Sequence, residues 1–134
     1  MIATEADLAF IIELGAEAHA GSVWDDVGTV FDRTSYEASC RSLMERDDAG
    51  VFVCDRGTLW LARFPLWFNH AETLTSEIFF YATAGGDALR REGERWAGEG
   101  LLTMCRHDKT DPRLDSLYRR AGYAPIEHTF IRRA

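Results

Sequence analysis

The residues best placed by type and spacing to do chemistry lie between Glu77 and Ala97. The run Glu77-Ile78-Phe79-Phe80-Tyr81-Ala82-Thr83-Ala84 is apolar, aromatic and β-prone. It ends in Gly85-Gly86, and from Asp87 the hydrophobic spacing turns helical through Leu89, Gly93, Trp96 and Ala97. That change of period predicts a strand, a tight turn and a helix. A helix N-terminus reached through glycines presents unpaired backbone N–H groups with no Cβ in the way, and the helix dipole adds partial positive charge. Such a turn suits an anion, a phosphate above all. The same glycines equally serve a chain that only has to turn sharply. Other reactive types are scattered: His19 stands alone near the end of a helical stretch and reads as structural or solvated. Cys40, Cys54 and Cys105 are odd in number and far apart, without the close pairs of zinc or thioredoxin-like sites, and are expected to be reduced and mostly buried.

Composition bounds what these groups can be for. With 134 residues, 46% of them hydrophobic, residues 1–134 are expected to form a single domain with a substantial core. No apolar run approaches the roughly 20 residues of a membrane span, and the N-terminus lacks the basic and apolar regions of a signal peptide, so a soluble cytoplasmic protein without membrane contact is expected. A net charge of −7 argues against nucleic-acid binding. The charge is uneven: residues 1–50 carry eleven acids against three bases, and residues 51–134 eleven acids against twelve bases. An anionic ligand therefore fits the second part better and a cationic one the first.

The elements that must position the turn follow from the same pattern reading. Thr4 with Asp7 reads as a cap for a helix from about Glu5 to Ala20, Gly21 to Thr29 as a loop holding Trp24, and Asp32 to Asp47 as a second helix with Tyr36, Cys40, Leu43 and Met44 on its apolar stripe. Val51 to Cys54 and Thr58 to about Phe64 flank Asp55-Arg56-Gly57 as a hairpin. Leu66, Trp67 and Phe68 read as core filler, with a pocket wall as the other reading, and Asn69 to Thr75 as a connection. The central strand, about Ser76 to Ala82, has Ile78, Phe80 and Ala82 on one face and Glu77, Phe79 and Tyr81 on the other. After the helix, Leu101 to Arg106 is a strand parallel to it, His107 to Thr110 a polar loop, Asp111-Pro112 the start of a further helix, and Tyr123 to Arg132 a final strand.

This order, with Glu94-Arg95-Trp96-Ala97, Gly100-Leu101-Leu102-Thr103-Met104 and Leu117-Tyr118-Arg119-Arg120-Ala121-Gly122-Tyr123, resembles the GCN5-related N-acetyltransferase (GNAT) family over nearly the whole chain. The segments Pro65-Leu66-Trp67-Phe68-Asn69 and Glu127-His128-Thr129-Phe130-Ile131-Arg132-Arg133 are similar to a small variety found in bacteriophages, which would place the protein in the host cytoplasm. The resemblance implies an α/β (α+β) fold: a central mixed, twisted sheet of about 5–6 strands, helices on both faces, and splayed parallel strands in the middle. It also implies acetyl transfer from acetyl-coenzyme A to an amine acceptor, small-molecule or protein, with a homodimer or a protein partner as further expectations.

By the same resemblance, the pantetheine arm would lie along the strand edge at Tyr81, Ala82 and Thr83, and the pyrophosphate on the amides of Gly85, Gly86, Asp87, Ala88 and Leu89. Tyr118 matches the family's proton donor, and Glu77 is similar to the acid that serves several members as base. No metal is implied. In the phosphate signature, Gly86-Asp87-Ala88 matches the end, whereas Thr83 stands where an Arg or Gln belongs and Asp87 brings an acid beside the anion, with Arg90 and Arg91 one turn on placed to compensate it. Those two departures motivate an alternative, a catalytically silent GNAT fold used for binding or as a structural component of a phage.

Overall fold

The structure is a computed structural model that describes residues 1–107 and 111–133. Strands β1 (Ala49–Cys54), β2 (Gly57–Leu66), β3 (Asn69–Ala82) and β4 (Leu101–Thr103) form one sheet in the order β1-β2-β3-β4. The first three make an antiparallel meander, and β4 returns parallel to β3. Five helices accompany them: α1 (Leu8–Ala20), α2 (Val23–Asp26), α3 (Arg33–Met44), α4 (Gly86–Ala97) and α5 (Arg113–Arg120).

Alternation along β1 and β2 explains the layering. Val51, Val53, Trp60 and Ala62 pack with Leu8, Ile11, Cys40 and Leu43 from α1 and α3, whereas Phe52, Leu59 and Leu61 pack with Leu89 from α4. Because both faces are covered, these strands read in sequence as unbroken apolar runs rather than as alternating ones. The result is the expected mixed α/β class with helices on both faces. Gly93 sets how closely α4 approaches, since a Cβ there would lie 2.7 Å from Leu59 Cδ2 and 2.9 Å from Leu61 Cδ1. Arg63 on β2 closes the other end of α4, donating to the Trp96 carbonyl and lying 3.8 Å over the Trp96 ring. A cation at a helix C-terminus complements its dipole.

On the opposite face Tyr36 sits over Gly15, whose missing side chain leaves room for the ring, and packs against Trp60, Phe31 and Phe79 at centroid distances of 4.7, 5.0 and 5.6 Å. Its hydroxyl is buried and meets no hydrogen-bond partner among the described residues. Burial without compensation holds the phenol far above its ordinary pKa. Tyr36→Phe is therefore expected to stabilise the fold by about 1 kcal/mol, the usual scale for removing an unsatisfied buried hydroxyl. Urea unfolding midpoints test this, and a lower midpoint would contradict it.

Several sequence expectations change. Residues 69–75, expected as a connection, are the first half of β3, pairing with Arg63 to Leu66 in a ribbon that runs past the end of β1. Residues 69–73 are exposed, and the 69–75 half of the ribbon is mostly polar, so it lacks the apolar alternation that marks a half-buried strand. Trp67 and Phe68 form its tip and are 85% and 68% exposed, so neither is core. Cys105 is exposed rather than buried, while Cys40 is buried and Cys54 half-buried, all three free. β4 stops at Thr103 instead of Arg106, and Tyr123 to Arg132 forms no strand: Pro125 lacks an N–H donor, and Ile126 and Phe130 remain 76% and 91% exposed. The N-terminal residues contribute an isolated bridge, Ile2 to Phe52, so the sheet has four strands, fewer than expected. Of the polar loop expected at His107 to Thr110, residues 108–110 lie outside the described residues. Among the described residues no helix is long and apolar enough to cross a membrane.

Candidate active site

The site begins where parallel pairing stops. β3 and β4 pair at Leu74 with Leu101, Thr75 with Leu102 and Ser76 with Thr103. Thr103 Oγ1 donates to Ser76 Oγ at 3.0 Å at the last of these positions. From Glu77 to Ala82, β3 stays paired to β2 alone, so the edge that faced β4 is left open. A bulge lies at the start of this open stretch. Trp60 pairs with Phe79 and Leu61 with Glu77, leaving Ile78 as an extra residue. The bulge reverses the facing of everything before it. Glu77 consequently shares a face with Leu61 and Phe80, not with Phe79 and Tyr81 as simple alternation predicts.

This reversal brings Glu77 to the parting strand. Its Oε2 accepts from the Cys105 N–H at 2.7 Å, and Tyr118 Oη donates to the Cys105 carbonyl at 3.2 Å. The two sequence-predicted catalytic residues thus meet across a single residue of the opposite strand line. Tyr118 is the buried residue of α5, and its ring lies 5.4 Å from that of Tyr123. Burial pushes the half-buried Glu77 carboxyl up to about 7, against the opposing pull of the Cys105 N–H. Burial, then the nearby Glu77 charge, holds the Tyr118 phenol far above its ordinary value, while Arg90 acts the other way. The Cys105 thiol is pushed up to about 11 by partial burial and by Glu77 and Glu127, which keeps it protonated and weakly nucleophilic near neutral pH.

At the far end of the open edge, Gly85 takes φ +75°, a conformation that favours glycine, and leads directly into α4. The Gly86, Asp87 and Ala88 N–H groups open the first turn, where a helix offers no acceptor of its own. Leu89 is different: its N–H donates to the Gly85 carbonyl at 3.1 Å, and its side chain is 1% exposed in the core. Thr83 is held by the hairpin, its N–H donating to the Arg56 carbonyl at 2.9 Å. Tyr81 turns toward α1, where burial and then Glu17 raise its pKa, and Ala82 packs on the α4 side. The Asp87 carboxylate is held by Arg90 Nη2 and Arg91 Nη2, each at 2.8 Å, and hydrogen bonding to Arg90 keeps its pKa below the ordinary value.

Arg90 and Arg91, placed by the sequence one turn beyond Asp87 to offset its charge, do pair with it, whereas the burial of Arg90 and its link to Glu94 and Tyr123 escaped sequence reasoning. The spacing Asp87, Arg90, Arg91, Glu94 was legible as ion-pair spacing along a helix, but nothing in it marks Arg90 as the member that is buried.

No family model matches the sequence, and no curated protein matches it. Solved structures do match over the whole chain. A transcriptional regulator from Bacillus halodurans C-125 superposes with TM-score 0.72 at 14% identity, covering 100% of this chain and 97% of that one. An aminoglycoside antibiotic 6'-N-acetyltransferase from Acinetobacter haemolyticus gives TM-score 0.67 at 15% identity, with 100% and 96% covered. AAC(6')-Iy in complex with the bisubstrate analogue CoA-S-monomethyl-acetylneamine gives 0.65 at 10%, with 100% and 95% covered. The chain has the GNAT fold. Within that GNAT fold, β3 and β4 are the parallel pair that parts, and α4 is the helix behind the glycine turn. In this chain β4 is short and the segment after α5 is irregular.

Proposed function

We propose that this single-domain chain is an N-acetyltransferase that moves an acetyl group from acetyl-coenzyme A to an amine by direct attack. The observation that carries the reading is the convergence of Glu77 and Tyr118 on Cys105 at the point where two parallel strands part. The residues present fit the donor molecule. The edge of β3 from Glu77 to Ala82 lacks a strand partner on that side, so its backbone at Tyr81 and Ala82, with the Thr83 carbonyl, would hold the pantetheine as an added strand. The first-turn amides of Gly86, Asp87 and Ala88, entered through Gly85, would hold the pyrophosphate.

Acetyl-coenzyme A supplies the activated thioester when bound. Glu77 takes the proton that an ammonium acceptor must lose before it can attack, and a carboxyl near pKa 7 is matched to that task at neutral pH. Tyr118 Oη holds the proton that the departing thiol requires. Eleven acids in residues 1–50 favour a cationic acceptor, small-molecule or protein, and two of the structural neighbours are named for acetylating aminoglycosides. The reaction is placed in the cytoplasm.

A second reading, a GNAT fold that binds without catalysis, draws on Asp87 standing at the start of α4 and on Thr83, whose N–H is occupied by Arg56. Calorimetric titration with acetyl-coenzyme A, joined to a thiol-release assay with a panel of amines, separates the two. Saturable binding with amine-dependent release is expected. Absence of binding at millimolar cofactor would overturn the enzymatic reading in favour of the silent one.

A further inference from the structure

We propose that Arg90 is a positioning residue that ties the glycine turn to the Tyr118 end of the site, one buried guanidinium holding Asp87 off the anion position and seating Tyr118 through Glu94 and Tyr123. The inference rests on the acetyltransferase reading and concerns how this chain tolerates an acid in its phosphate turn.

Arg90 is 6% exposed, and arginine is rarely so buried unless paired. Its fork is divided between two carboxylates. Nε and Nη2 donate to Asp87 Oδ1 at 3.0 and 2.8 Å, and Nη1 donates to Glu94 Oε1. The same Glu94 oxygen accepts from Tyr123 Oη at 2.9 Å, and the Tyr123 ring packs against Tyr118, whose hydroxyl reaches the Cys105 carbonyl. A continuous path of contacts therefore runs from the first turn of α4 to the proton donor on α5.

Each end of this path has a physical consequence. An unpaired Asp87 would place a full negative charge among the amides meant for a pyrophosphate. Arg90 and Arg91 together neutralise it and draw the carboxylate along the helix away from the first-turn N–H groups. At the other end, Glu94 can hold Tyr123 in place only while Arg90 balances its charge. A purely structural role would be served as well by an apolar residue, because replacing a buried ion pair with packed hydrophobic groups is often neutral or stabilising. A lysine supplies one point charge rather than a planar fork and cannot span both carboxylates in this way.

The test uses the full-length protein with coenzyme A as ligand. Affinity is measured by calorimetry, kcat and KM by thiol release, and folding by thermal melting, in Arg90→Gln, Arg90→Lys, Asp87→Asn, Glu94→Leu and the double variant Asp87→Asn/Arg90→Gln. Arg90→Gln is expected to weaken coenzyme A by about tenfold and to lower kcat as well. Asp87→Asn is expected to tighten binding. The double variant recovers the affinity lost in Arg90→Gln without recovering kcat, because the charge at the turn is gone but Tyr123 remains unseated. Glu94→Leu, which removes the oxygen that accepts from Tyr123, lowers kcat severalfold at near-constant affinity, and it keeps the question decidable if Arg90→Gln fails to fold. Arg90→Lys restores affinity more than kcat.

Loss of affinity that Asp87→Asn does not rescue would overturn the proposal, as would unchanged kcat in Glu94→Leu. If the parent protein binds and turns over while Arg90→Gln matches it, the proposal alone falls. If the parent protein does not bind coenzyme A at all, the acetyltransferase reading falls and takes the proposal with it.

Discussion

Tyr118→Phe is expected to lower kcat by about a hundredfold while acetyl-coenzyme A affinity changes by less than about threefold. The split follows from what the side chain touches. Its ring is buried and packs against Tyr123 at 5.4 Å, contacts that phenylalanine keeps. Its hydroxyl makes one described bond, to the Cys105 carbonyl at 3.2 Å, and Cys105 is exposed enough for water to replace it. Stability should therefore fall by about 1 kcal/mol or less. On the proposed mechanism, what disappears is the proton donor at the parting strands, so kcat and kcat/KM should fall together. Steady-state thiol release and calorimetry measure the two halves. Equal loss of binding and turnover, or no loss of turnover, would contradict the donor role.

Glu77→Gln should move stability and activity in opposite directions. The folded-state carboxyl lies at about 7 against an ordinary 4.5, so the folded protein holds this proton more tightly than the unfolded chain. The contribution is fully present below pH about 4.5 and is lost as pH rises through about 7. At pH 8 the buried carboxylate costs up to about 3 kcal/mol. Glutamine does not ionise, and its Oε1 can still accept from the Cys105 N–H. The variant is thus expected to gain stability at pH 8 and almost none at pH 4. Turnover should fall, and the limb of the kcat/KM profile that rises near pH 7 should disappear with the base. A denaturation series across pH tests the first expectation, and a gain that is the same at both pH values would defeat it. Persistence of the limb would remove Glu77 from the role of base.

The strands at the centre of the molecule were legible because the sheet is covered on both sides. Val51 to Cys54, Thr58 to Phe64 and Phe79 to Ala82 have no polar face to confuse the pattern, and α4 announces itself by a change of period after two glycines. The ribbon at residues 69–75 was not legible, because a strand exposed along most of its length leaves no apolar alternation, and only its pairing with β2 makes it a strand. Trp67 and Phe68 misled for the converse reason: aromatic type implies burial on average, and a hairpin tip is an exception that no local spacing reveals. Tyr118 and Glu77 were found through resemblance, but the contact between them runs through the Cys105 backbone, which carries no side-chain signature. Arg90 illustrates a different limit. A helix pattern shows which charges can pair, whereas burial of one of them depends on tertiary packing that no local spacing records.

The bulge at Ile78 divides β3 into two reading frames. Residues on one side of it keep odd positions toward α1 and α3; on the other side the even positions do so. For this strand the length of the chain is consequently as much a part of the site as the identity of its side chains. Regular pairing through Ile78 would leave every candidate residue in the sequence and yet turn Glu77 to the layer of Phe79. A one-register slip of residues 69–77 along β2 that takes up the bulge would therefore be a deeper change than any single substitution along the open edge.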